Sequence, residues 1–243
     1  MKDDLLGAVS FLTIFGGGRQ PKESSKYWFS LAGVVVAIIS GLVWQLMGHS
    51  TARLLIASVV VLVMLIITGA IHIDGLADAA DGLLAHLDAR KRFEVMSSPE
   101  VGTFGIVAVV MAIALYVVSI SVLRPNLLLL IGVFSLSREL AALVMESVPY
   151  AKSDGIVSAF SSGSGVLARA KLIIAGEMLL STFLILVSLG VKGIVLPVVM
   201  LAVQIVIVLR AKSLIGGYTG DVLGASIVAT ETFALVAGAL MQR

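Results

Sequence analysis

Seven stretches of sixteen to twenty residues, nearly free of charge, constrain the fold more than anything else in the chain. They are Trp28–Met47, Leu54–Ile73, Phe104–Leu123, Leu127–Met145, Leu172–Leu189, Ile194–Leu209 and Val222–Met241. A helix crossing a bilayer needs roughly 20 mostly apolar residues, and must satisfy its own backbone because no water is there to do so. Between these stretches nothing is polar enough to form a soluble domain: 59% of residues are hydrophobic and only 13% charged, against about 25% charged in soluble domains. The expected class is therefore all-α: a polytopic integral membrane protein of about seven transmembrane helices, residues 1–243 forming one membrane domain. Leu5–Phe15 is apolar but short, follows Asp3 and Asp4, and precedes no small-residue cleavage site. It reads as an interfacial or re-entrant segment rather than a processed signal peptide or a short span. Gly190 to Gly193 reads as a tight hairpin between the fifth and sixth spans.

Charge sets the expected orientation. With the N-terminus inside, twelve of the 17 Lys and Arg residues fall in inside segments and four in outside ones, with Arg138 within a span. The positive-inside rule then gives N-in, C-out. No Asp or Glu falls in an outside loop, whereas the inside segment between Ile73 and Phe104 is long and acidic at its start. Chemistry is thus expected on the cytoplasmic face, in a helix and loop region at about residues 72–103. The net charge of +2 fits this bias and not a nucleic-acid surface. With no cysteine, disulfides, thiolate metal sites and a Cys nucleophile are excluded.

Within that region, His72-Ile-Asp-Gly-Leu-Ala-Asp-Ala-Ala-Asp-Gly82 places Asp74, Asp78 and Asp81 at i, i+4 and i+7. On a helix these fall within an arc of about 60°. Like charges so placed repel, and more strongly when desolvated. A hard divalent cation, Mg²⁺, Mn²⁺ or Ca²⁺, would offset the repulsion with oxygen ligands, and Mg²⁺ commonly combines one or two carboxylates with substrate phosphates. Gly75 and Gly82 flank the stripe and let a phosphate or a neighbouring helix come close. Asp88 lies too far along the axis and is expected to cap or pair locally. Arg90-Lys-Arg92 suits an anionic substrate or lipid headgroups. Gly216-Gly-Tyr-Thr-Gly-Asp-Val-Leu-Gly224 opens the last span, offering backbone amides to a phosphate and Asp221 as a further ligand. Pro149-Tyr-Ala-Lys-Ser-Asp-Gly155 is a further inside element, with Lys152. Glu231, deep in the last span, is either functional or hydrogen-bonded to a neighbouring helix. Arg138 and Glu139 are read as structural or substrate-anchoring. His49, His72 and His86 do not converge by spacing.

The order of these motifs, with Val95-Met96, Val101-Gly-Thr-Phe-Gly105 and the Phe11-Leu-Thr13 start, resembles the cobalamin synthase family, the adenosylcobinamide-GDP ribazoletransferases, over essentially the whole chain. The sequence departs from the family pattern at Ile14, at Ser97-Ser-Pro-Glu100 and at Val228. The resemblance implies the closing step of nucleotide-loop assembly in the inner membrane. A ribose hydroxyl of α-ribazole or its 5′-phosphate attacks the phosphate of adenosylcobinamide-GDP, and GMP leaves. It implies Mg²⁺ on Asp74, Asp78, Asp81 and Asp221, with Asp81 or Asp78 taking the hydroxyl proton. Gly75, Gly82, Arg90, Arg92, Arg138, Lys152, Gly217, Thr219, Gly220 and Glu231 are implied in substrate binding. A homo-oligomer, or association with other enzymes of nucleotide-loop assembly, is compatible with it.

Two other readings compete. A CDP-alcohol phosphotransferase would need Arg where Asp78 stands and a second acidic motif further on, and a prenyltransferase would need two separate Asp-rich motifs. A transporter would call for internal repeats and broken helices at mid-membrane, and no repeat is present.

Overall fold

In the computed structural model residues 2–15, 17–19, 21–48, 51–152 and 167–241 are described, the side chains of 167–170 excepted. Among them there are ten α-helices and no strand: α1 (Lys2–Leu12), α2 (Phe29–Met47), α3 (Arg53–Ile67), α4 (Ile71–Leu84), α5 (Ala89–Val95), α6 (Thr103–Val122), α7 (Leu127–Ser147), α8 (Leu167–Leu189), α9 (Val195–Ile215) and α10 (Gly220–Met241). Six are long and apolar enough to cross a membrane, and α3 with α4 makes a seventh, bent candidate. The protein is a multi-pass, all-helical membrane protein.

Burial orders the bundle. α7 and α10 have 78% of their apolar windows buried, against 17% for α8, 22% for α9 and 28% for α6. The two central helices therefore meet protein on nearly every side, while the outer ones present Leu, Ile and Val to lipid. α2 and α8 flank α7, and α4, α6 and α9 surround α10. The α2–α7 crossing is close because Gly33 has no side chain: a Cβ there would sit 2.4 Å from the Phe134 carbonyl oxygen. Small residues at such crossings let helix backbones approach where no hydrophobic effect pulls them together.

The second expected span, Leu54–Ile73, needs correction. The helix stops at Ile67, and after Thr68 both Gly69 and Ala70 take left-handed backbone conformations, with φ of 57° and 56°. The chain then turns 88° into α4. The segment after α1 pins the break, the Ile14 amide donating to the Ile67 carbonyl at 2.8 Å. Hydropathy runs unbroken through this corner, so an apolar count alone carries the span six residues too far. α1 is an 11-residue helix, about 17 Å long, too short to cross a bilayer. The expected hairpin before α9 is a turn of 3₁₀ helix over Val191–Ile194.

Candidate active site

The site is built where α4 crosses the start of α10. Gly75 and Gly224 face each other, their Cα atoms close enough that a Cβ built on Gly224 would lie 3.4 Å from the Gly75 Cα. A Cβ on Gly75 would meet the Asp221 carbonyl oxygen at 3.1 Å. This contact brings the acidic face of α4 beside Asp221. The first turn of α10 is fixed in its own right. Gly216 closes α9 with φ of 83°, and the Tyr218 amide donates to the Pro149 carbonyl while the Ala151 amide donates to that of Tyr218. Gly217 is pressed onto the Pro149 carbonyl, where no side chain fits. The buried Thr219 hydroxyl accepts from the Val222 amide at 3.2 Å, capping the helix. The paired loops carry Lys152 to Asp221, its Nζ 3.3 Å from Oδ2. Ser153 to Gly155 of that loop lie outside the described residues.

Beside this crossing opens a cavity of about 280 Å³ with a mixed polar and apolar lining. Asp74, Lys152, Gly220 and Asp221 contribute polar groups to its lining, and Phe11, Leu12, Phe29, Ile71 and Ala141 are among the apolar residues. Asp78 lies one turn along α4 from Asp74. Burial raises its carboxyl from the ordinary 3.8 to about 6, helped by the charges of Asp221 and Asp74. Asp78 is thus crowded by the charges of Asp221, Asp74 and Asp81, with Lys152 in partial compensation. Among the described residues no cluster of three or more carboxylate or imidazole side chains forms a ready metal cage.

The third aspartate of the stripe faces other work. Asp81 is buried, and its oxygens accept from the Gly102 amide at 2.7 Å and the Gly105 amide at 2.9 Å. Its carboxylate caps the N-terminus of α6, where unpaired amides and the helix dipole favour a negative charge. Asp81 is expected from the sequence as a metal ligand or proton acceptor; in the structure its oxygens meet these two amides, and it is not among the residues lining the cavity. We expect Asp81→Ala to destabilise the folded protein by about 2 kcal/mol, since the buried Gly105 amide and the more exposed Gly102 amide would lose a charged acceptor. Thermal unfolding in detergent measures this, and activity should fall with the folded fraction.

The other implied substrate residues divide. Gly75, Lys152 and Gly220 line the cavity, whereas Gly217 and Thr219 shape the loop behind it. Arg92 is buried and donates to the Gly82 and Ala85 carbonyls, closing the C-terminal end of α4. Gly82 makes room for Met96. Arg90 is at the surface, paired with Glu94 at 3.1 Å, and Asp88 caps α5 by accepting from the Lys91 amide. Arg138 and Glu231 are buried together as an ion pair, with Ser137 donating to Glu231 at 2.7 Å and Tyr116 also donating to it. They line a separate cavity of about 30 Å³, and His72 belongs to the walls of both cavities. Spacing missed Phe11, Phe29, His72 and Tyr150 as wall residues. No periodicity marks them, because four separate elements bring them together.

The profile of the cobalamin-5-phosphate synthase (CobS) family matches residues 4–239. An adenosylcobinamide-GDP ribazoletransferase of Shigella flexneri is 31% identical over 213 residues, covering 86% of this chain and 85% of that one. One from Azorhizobium caulinodans is 34% identical over 207 residues, covering 82% and 77%. One from Escherichia coli O157:H7 is 30% identical over 213 residues, covering 86% and 85%. No solved structure matches the chain.

Proposed function

Since the chain belongs to the cobalamin-5-phosphate synthase family of transferases, we propose that it transfers the adenosylcobinamide-phosphate moiety of adenosylcobinamide-GDP to α-ribazole or its 5′-phosphate, at the α4–α10 crossing. The observation that carries this is that Asp74, Asp221 and Lys152 line one cavity. Phosphoryl-group transfer asks a protein chiefly for positioning and charge neutralisation, and such a lining supplies both.

Mg²⁺ fits the donor set. Two carboxylates facing one cavity, with a third crowding them, match a cation that takes one or two carboxylates and completes its shell with water and phosphate oxygens. Asp74 and Asp221 would hold it. When bound it supplies the positive charge that neutralises the pyrophosphate and the departing GMP. The chain's own residues do the rest. Lys152, now on Asp221, reaches the phosphate oxygens. The Gly75–Gly224 contact holds the two carboxylate-bearing helices in register. The ribose hydroxyl oxygen forms the new bond to phosphorus, the bond from phosphorus to the GMP oxygen breaks, and the hydroxyl proton passes to Asp78. Asp78 is preferred to Asp81 for that role because Asp81 is buried and each of its oxygens already accepts a backbone amide.

In this reading the site works at the cytoplasmic face of the inner membrane, and the positive-inside bias of the loops supports that side. The test is direct. Purified protein in liposomes, given both substrates and Mg²⁺, should release GMP and form the joined corrinoid in equal amounts, and EDTA should stop both. GMP without joined corrinoid would mean hydrolysis and overturn the transfer reading.

A further inference from the structure

We infer that the cavity beside the carboxylates receives the aromatic base of the ribazole acceptor, with the corrin and the guanine of the donor held outside it. This rests on the ribazole-transfer reading above. Size is the first argument. At about 280 Å³ the cavity lies just below the usual range of ligand pockets, roughly 300–1,000 Å³. It has room for one nucleoside and none for a corrin macrocycle with its amide arms.

The lining then chooses between the two nucleosides of the reaction. The same lining includes Phe11 and Phe29, stacked with centroids 5.9 Å apart and ring planes at 21°, with Leu12, Ile71 and Ala141. Guanine carries donors and acceptors along its whole edge, and burying them against such residues leaves most unpaired, each at a cost. A benzimidazole is apolar except for one free ring nitrogen that accepts a hydrogen bond. His72, which borders both this cavity and the smaller one, is 93% buried, and its Nε2 meets no partner among the described residues. A single orphan on the protein and a single acceptor on the base match in number. A base seated there leaves its ribose toward Asp74 and Asp221, where the attacking hydroxyl is needed.

Steady-state kinetics of the full chain in detergent tests this. Phe11→Ala, which removes a stacking face, and His72→Phe, which removes the orphan donor while keeping an aromatic ring, should each raise KM for α-ribazole about tenfold. KM for adenosylcobinamide-GDP should stay within about twofold. Ala141→Leu, which fills the cavity instead of emptying it, should give the same split, so a folding loss in one variant leaves the comparison intact. A rise in KM for the corrinoid donor, alone or together with that for ribazole, overturns the assignment. Equilibrium dialysis separates this from failure of the transfer reading. If wild type turns nothing over, retention of α-ribazole that is lost in Phe11→Ala still supports the cavity assignment. Retention of GMP, or of neither nucleoside, overturns it.

Discussion

Replacing Asp78 by Asn is expected to lower turnover about 10³-fold, the scale of losing a group that takes a proton, while the metal-free protein melts a few degrees higher than wild type. The opposite signs follow from one fact. Asp78 is half-buried with Asp74 and Asp221 nearby, and its carboxyl is raised from 3.8 to about 6. A carboxyl whose pKa is raised by folding binds its proton more tightly in the folded state than in the unfolded one. The folded protein therefore loses stability as pH climbs from about 4 to about 6, and the loss persists above that. Asn does not titrate, so the stabilisation in the variant should be largest above pH 6 and fade below pH 4. Melting curves at pH 4.5 and 7.5, beside activity at pH 7.5, check both halves. A variant that is both inactive and less stable would mean that Asp78 holds the fold, as Asp81 does.

Gly75→Val should cost about 10²-fold in turnover, the order expected when reacting groups are displaced by an ångström. The Cβ alone would already stand 3.1 Å from the Asp221 carbonyl oxygen and 3.2 Å from its Cα, with the Gly224 Cα at 3.3 Å. These are backbone atoms on a helix packed on several sides, so α10 has to move as a body. Val adds two methyl groups in the same space. Gly75→Ala, needing a shift of only a few tenths of an ångström, should lose far less. A graded series from Gly through Ala to Val, with the melting temperature falling less steeply than turnover, would tie the crossing to the chemistry. Equal activity across the series would place the active site elsewhere.

How much of this is visible without coordinates depends on how local the cause is. The spans are visible because lipid demands apolar length, and α10 was legible from Val222 onward for that reason. The end of the second span was not, because the Thr68–Ala70 corner is apolar and its turn is held by Ile14, far away in sequence. The acidic stripe was legible as a face of α4, but its division was hidden. Asp78 and Asp81 look equivalent by spacing, and only the position of the Gly102 and Gly105 amides separates the crowded carboxylate from the capping one. Arg92 and Arg138 show the same limit. Each looks like a cation for an anionic substrate, yet one closes α4 and the other meets Glu231 in the interior. The Thr219–Asp221 turn was easier to read, because helix starts are written in a few adjacent residues.

The most direct measurement is the Mg²⁺ titration of GMP release and corrinoid joining, run on wild type and on Asp221→Asn. Wild type should saturate with Mg²⁺, and the variant should need about tenfold more metal or fail to saturate, as expected when one of two protein carboxylates is lost. Joining that proceeds in EDTA, or with an unchanged Mg²⁺ midpoint in Asp221→Asn, would contradict the assignment of the α4–α10 crossing as the metal-assisted centre of transfer.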